Sequence, residues 1–351
     1  MGKSQSKQES EVTKMRIFLT GATGYVGGQA LHSIASSFAA ASTIISCLVR
    51  DKDKAQTVKD KYPDHVQTVI GDLGDGELME NESLQADIVL HLASTNHLSS
   101  CQAISKGLSK KPAGSISYWM QMSGASLFVI PQIKEGRYGE ASDEVYHDLG
   151  DTEKILAIIR KNPSRSVDNL IVSQDSSKIR TALVLGPLIY GQGAGPGNQR
   201  SIQVPEIVKT TLTYGEGFRF AKGLNRWSNI HVRDLGDLFL HLAKAAQNEK
   251  AHGWNKEGIY LPANGDMAFG EVCERVAQAA YDQKLIKSPK VQRTIGVDEA
   301  NEATSAGAIF WGTNAVFGSE RGHQVLGWQP SAPSLATEIP ETVMTEAKRQ
   351  R

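Results

Sequence analysis

The chain is poor in cysteine, in net charge and in long apolar sequence. Its 351 residues include three cysteines, Cys47, Cys101 and Cys273, widely separated and odd in number. That excludes a disulfide framework, and their spacing suits no zinc site, so no metal is expected. Lys plus Arg and Asp plus Glu stand at 38 each, so no net field draws the protein towards nucleic acid. Small neutral or amphipathic molecules are the expected partners, nucleic acid is not, and self-association as a homodimer stays open.

The first sixteen residues are polar and lack the apolar stretch of a secretory signal. Residues Gly27 to Val49 carry no Asp, Glu, Lys or Arg, yet they hold Gln29, His32 and five serines. A helix followed by a buried strand explains that segment better than a membrane span. A cytoplasmic protein without stable membrane insertion is therefore expected. The start, Met1-Gly2-Lys3-Ser4-Gln5-Ser6, fits the N-myristoylation pattern at Gly2. One acyl chain anchors only marginally, and the nearby Lys3, Lys7, Lys14 and Arg16 are offset by Glu9 and Glu11. The polar composition favours a disordered tail over residues 1–14 and a domain that begins at Met15.

What is present is a glycine pattern. Ile17-Phe18-Leu19-Thr20 empties into Gly21-Ala22-Thr23-Gly24-Tyr25-Val26-Gly27, three glycines spaced three apart. This reads as a strand, a tight turn and a helix start. Gly21 permits the reversal, Gly24 a close approach to phosphate, and Gly27 close packing of helix on strand. A dinucleotide pyrophosphate would lie on the helix N-terminus, where free N–H groups and the dipole favour an anion. A helix is predicted from Gln29 to about Ala41 and a second strand over Thr43–Val49. Arg50 follows it and suits a 2′-phosphate, with Lys52 or Lys54 adding charge, which favours NADP(H) over NAD(H) despite Asp51. A third strand, Val66–Ile70, leads to Asp72 and Leu73, placed for the adenine. A fourth, Asp87–Ser94, passes Ala93 and Ser94 beneath the cofactor.

Together with Tyr118–Gly124, Leu183–Gly191 and Trp227–Leu235, these segments resemble the extended and atypical short-chain dehydrogenase/reductase superfamily. The likeness is to its nucleoside-diphosphate-sugar-epimerase-like and NmrA-like members, and it covers about Met15 to Pro340. It implies an α/β fold: a Rossmann-type doubly wound parallel sheet over residues 15–190, with a smaller α+β substrate lobe over 191–345. It also implies Ser123 as a catalytic residue, and Gly186 and Pro187 at the cofactor.

One expected feature is missing. The superfamily pairs Tyr with Lys four residues on, and no tyrosine here is followed at that spacing by lysine. Alignment puts Ser164 and Asp168 at the two positions. Tyr138, Tyr146 and His147, in the polar stretch from Lys134 to Asp151, are alternatives that would reach in from a loop, with Tyr146 as a candidate proton donor. The run Gly191–Asn198 reads as a flexible lid or a link, and His231 with Arg233 as cleft-facing or helix-capping. The leading reading is an NADP(H)-dependent reductase or dehydrogenase for a small carbonyl, alcohol or imine. In it, Ser123 polarises the reacting oxygen and Asp168 only fixes a helix or a water. The alternatives are an NADP-binding redox sensor without turnover and a non-redox, epimerase-like enzyme.

Overall fold

Near-continuous apolar runs become parallel strands because both faces of the sheet are covered. The computed structural model describes residues 14–350. Its N-terminal half alternates β1 (Met15–Thr20), α1 (Tyr25–Ala35), β2 (Thr43–Val49), α2 (Lys52–Lys61) and β3 (Val66–Ile70). It continues through α3 (Gly76–Gln85), β4 (Ile88–His91), α4 (Leu98–Ser109) and β5 (Ser117–Gly124). The main sheet has seven strands in the order Ile259–Tyr260, Ile179–Gly186, β5, β4, β1, β2, β3. All its pairings are parallel. The order reverses at β1, so the crevice beyond Thr20 and His91 lies at the switch point of a doubly wound fold.

Side chains of β1 alternate between two layers. Ile17 and Leu19 join the core that contains Leu31 and Ile34 of α1, whereas Phe18 joins the one that contains Met79 of α3 and Ile104 of α4. Each such fully buried side chain stabilises the fold by about 1.5–3 kcal/mol. The predicted helix at Gln29 starts earlier, at Tyr25, because the glycine turn feeds it directly, and it ends at Ala35. The predicted fourth strand is trimmed to Ile88–His91.

Residues on both sides of position 190 build this core. Ile259 and Tyr260 pair with Leu183 and Val184 on the sheet. The helix Val232–Gln247 buries Leu235, Leu238, Leu242 and Ala246. It lies so close to α1 that a Cβ on Gly236 would fall 2.7 Å from Gln29 Cγ. The rest of the C-terminal part is α+β. A three-stranded sheet joins Asp266–Ala268, Arg226–His231 and Leu188–Tyr190, and helices span Gln203–Tyr214, Phe269–Asp282 and Leu335–Arg349.

The Lys134–Asp151 stretch is docked. Val145–His147 pairs in parallel with Val316–Gly318. The buried Asp148 carboxylate accepts from the backbone N–H groups of Leu261 (3.1 Å), Glu320 (2.9 Å) and Arg321 (2.9 Å). Among the described residues, no helix is long and apolar enough to cross a membrane. The Gly2 pattern lies outside the described residues, as does the proposed tail up to residue 13.

Candidate functional site

The glycine turn closes only because of what its residues lack. Gly21 has φ +84°, and a Cβ there would lie 2.8 Å from the Ala93 nitrogen. A Cβ on Gly27 would lie 2.2 Å from the Gly21 carbonyl oxygen, so α1 packs against the turn backbone to backbone. Gly24 caps α1 without a side-chain bond, and the first turn holds no acidic residue. The positive helix end and its N–H groups are left for an anion.

Two cavities of about 610 and 590 Å³ meet at Gly24, Leu92, Ala93 and Asn198 and form one cleft across the strand ends. The first is lined by Gly21, Thr23, Arg50, Lys54, Thr57, Asp72 and Leu73. The second is lined by Tyr25, Val26, Gly27, Ser94, Ser123, Gly186 and Pro187, with Met122, Ile189, Ile202, Gln203 and Phe310. All thirteen residues assigned to the cofactor from sequence line one cavity or both. Thr57, Asn198, Gln203 and Phe310 escaped that assignment, since they reach the cleft from segments without a phosphate motif.

Arg50 and Asp51 part company here. Asp51 caps α2, accepting from the Lys54 nitrogen at 2.8 Å and from Lys54 Nζ at 2.9 Å. Arg50 is exposed on the cavity wall and makes no ion pair among the described residues. Asp72 accepts from the Gly74 N–H through Oδ1 at 2.6 Å. These walls, the uncapped helix and the glycine cradle fit a phosphorylated dinucleotide.

At the opposite end Ser123 belongs to a closed polar cluster. Its hydroxyl donates to Asp168 Oδ1 at 2.8 Å. Arg165 Nε donates to Asp168 Oδ2 at 2.7 Å, and Arg165 Nη2 donates to Ser123 Oγ, also at 2.7 Å. The guanidinium further reaches Ser126 Oγ (3.2 Å) and the Gly124 carbonyl (3.3 Å). Ser123 and Asp168 are each only 1% exposed. Burial raises the Asp168 pKa, against the opposing pull of Arg165 and Ser123. The turn Asn162–Arg165 leads into the helix Ser166–Val172, and Asp168 in its first turn complements the dipole. The cation of this cluster, Arg165, was missed in the sequence. Its spacing of three from Asp168 was the available signal, because such residues share a helix face.

Other expectations are corrected. Asp168 does not line the cleft and meets it only through Ser123. Tyr146 does not line it either. Its ring stacks on Phe128 with centroids 4.2 Å apart, because the exposed–buried–exposed alternation of Val145–His147 turns it into the core. Tyr138 packs edge-on to Phe220, and His147 pairs with Glu320 on the surface. Of the two roles open to His231, the structure shows the capping one: the ring is buried, and Nδ1 caps the helix Val232–Gln247 by accepting from the Arg233 nitrogen at 3.1 Å.

Gly191–Asn198 is no free lid. It straps the glycine turn: Asn198 N–H donates to the Thr23 carbonyl (2.9 Å), Ala194 N–H to Gln29 Oε1 (2.8 Å) and the Tyr25 hydroxyl to the Gly191 carbonyl (2.5 Å).

No family model matches the chain. An oxidase of Acremonium, ucsJ, is 31% identical over 345 residues, covering 95% of this chain and 98% of its own. An uncharacterized Saccharomyces cerevisiae protein is 21% identical over 334 residues, 93% of this chain and 98% of that one. The fold is shared with solved structures at low identity. A dTDP-glucose 4,6-dehydratase from Bacillus anthracis, in complex with NAD, has a TM-score of 0.64 at 14% identity over 96% of this chain and 97% of its own. The human epimerase family protein SDR39U1, with NADPH, has a TM-score of 0.58 at 16% identity over 94% of this chain and 99% of its own. With the glycine cradle, the strand order and a relative aligned end to end, the chain belongs to the extended short-chain dehydrogenase/reductase superfamily.

Proposed function

We propose that the protein is an NADP(H)-dependent oxidoreductase acting on a small, uncharged alcohol, carbonyl or imine. The observation that carries this reading is the contrast between the two ends of the cleft. One end offers Arg50, Lys54 and Thr57, a cationic and hydroxylic wall suited to a 2′-phosphate. At the other, among the described residues, no Asp, Glu, Lys, Arg or His lines the wall. Val26, Leu92, Met122, Ile189, Ile202 and Phe310 supply apolar surface there, and Ser123 supplies a hydroxyl.

A nucleoside diphosphate-sugar needs cations for its phosphates, and this chamber has none to give, which counts against the epimerase-like alternative. The Acremonium relative is an oxidase, in agreement with redox chemistry. The glycine turn would hold the diphosphate, Arg50 and Lys54 the 2′-phosphate, and the strand ends near Ser123 the nicotinamide. A bound nicotinamide supplies the hydride acceptor or donor. The chain's own contribution is orientation, an uncharged and largely apolar chamber, and proton handling. The missing Tyr and Lys pair favours a second reading, an NADP-binding sensor.

Fluorescence titration with NADPH and NADH, followed by absorbance with a panel of uncharged alcohols, ketones, aldehydes and imines, tests the proposal. Preferential NADPH binding with turnover is expected. Tight binding with no turnover across the panel selects the sensor, and conversion of a nucleotide sugar without net absorbance change selects the epimerase.

A further inference from the structure

A serine hydroxyl has one proton and two lone pairs. In Ser123 the proton is committed to Asp168 Oδ1, and one lone pair receives Arg165 Nη2. What remains for the cleft, whose wall Ser123 forms, is one lone pair. In this state Ser123 accepts a hydrogen bond from a ligand and does not donate one, the reverse of the polarising role read from sequence. Resting on the oxidoreductase reading above, we propose that Ser123 and Asp168 form a two-step proton relay, held in register by Arg165, that stands in for the absent Tyr and Lys pair.

In the oxidative direction the substrate O–H or N–H donates its proton to Ser123 Oγ as the serine proton passes to the Asp168 carboxylate. The hydrogen on the substrate carbon would pass, together with its bonding electron pair, to a bound oxidised nicotinamide, leaving the carbonyl or imine double bond. Asp168 ends protonated and Ser123 ends neutral with its new proton directed at the product; once the product has left, Asp168 returns its proton through Ser123 to water in the cleft. The reductive direction runs the same transfers backwards.

The arrangement suits this use. Arg165 touches both members, Nε on the carboxylate and Nη2 on the hydroxyl, so one planar fork fixes the distance across which the proton moves. Asp168 reaches the cleft only through Ser123, which keeps water from short-circuiting the transfer. The groups facing the carboxylate are Arg165 from the preceding turn, Ser123 from β5 and the Cys101 thiol from α4. Burial pushes that thiol up to about 12, so it stays neutral. Ser123 is the catalytic residue here, and Arg165 is a positioning residue.

The test combines kinetics with a measurement that needs no turnover. In the oxidative direction, kcat of the wild type should rise with pH as one carboxyl ionises. Asp168→Asn should lower kcat by about 10²–10⁴-fold, the usual scale of acid–base catalysis, and abolish that limb while NADPH affinity is unchanged. Arg165→Met should move the limb to higher pH, and Arg165→Lys should restore it in part. Infrared difference titration without substrate should find a carboxyl that is missing in Asp168→Asn and raised in Arg165→Met. Wild-type kcat and pH profile in Asp168→Asn would overturn the relay and leave the oxidoreductase reading standing. A carboxyl titration unmoved in Arg165→Met would overturn the coupling even if no substrate is found. Absence of turnover in every protein, wild type included, sinks the oxidoreductase reading instead.

Discussion

Arg50 and Asp51 are adjacent and opposite in charge, and only the backbone tells them apart. The strand end sends Arg50 to the cavity wall, while the helix start claims Asp51 as a cap. Arg50→Ala is therefore expected to weaken NADP(H) by about 1.5–3 kcal/mol, the worth of a charged hydrogen bond, and to leave NAD(H) nearly untouched. Parallel titrations of both cofactors check this, and equal losses would show that Arg50 does not read the phosphate. His91 carries a second prediction. It is fully buried, 2.7 Å from Thr20 Oγ1 and 3.1 Å from Ser100 Oγ, and burial pushes its pKa from 6.5 down to about 3. The unfolded chain takes up this proton below 6.5 and the folded chain does not, so stability is whole above 6.5 and drains as pH falls towards 3. Each unit between the two values is worth about 1.4 kcal/mol. His91→Gln should flatten that loss in denaturant titrations at neutral pH and about pH 4, and an equal acid loss in both proteins would refute it. At this scale the cofactor residues were legible because glycine spacing and the strand-end Arg express backbone constraints. The Ser123 cluster was not, since Arg165, Asp168 and Ser123 meet only after β5 and the helix Ser166–Val172 have packed.

Among the elements, the parallel strands were readable from apolar runs, and the predicted Val66–Ile70 coincides with β3. The strap Gly191–Asn198 was misread, and instructively. Four glycines in eight residues suggest freedom. Here they permit contact: a Cβ on Gly195 would lie 2.7 Å from the Gly28 carbonyl carbon, and one on Gly197 would lie 2.3 Å from the Thr23 oxygen. Composition cannot distinguish a glycine that moves from one that fits. Gly197→Ala should lift Asn198 from the Thr23 carbonyl and speed NADPH dissociation, with secondary structure retained. Stopped-flow displacement measures it, and an unchanged dissociation rate would mean that the strap plays no part in holding the dinucleotide.

For the molecule as a whole, the sequence suggested a Rossmann part over 15–190 and a substrate lobe over 191–345 within one unit, and a strand from beyond residue 190 pairs on the main sheet. Ile259–Tyr260 covers the outer edge of Ile179–Gly186, and the helix Val232–Gln247 covers α1. A fragment of residues 15–190 would expose that edge and the apolar face of α1. It should not unfold cooperatively, in contrast to the full chain, when both are followed by circular dichroism in urea. A sharp fragment transition would mean that residues 15–190 fold without the later segments. The composition was legible as a large α/β core, whereas the edge of the sheet that Ile259–Tyr260 joins is set by long-range packing that no local pattern records.

The strap has a consequence for how such a protein can change. Where backbone lies on backbone, as at Gly28, Gly195 and Gly197, no side chain is available for selection to adjust. Substrate range must then drift on the opposite wall, at Ile202, Gln203 and Phe310, where side chains face the chamber. A saturation library scored for folding and for activity on varied substrates should show this asymmetry. The three glycines would stay nearly invariant, while the facing wall would tolerate exchange and yield new preferences. Equal tolerance on both sides would mean that the junction is softer than its close contacts imply.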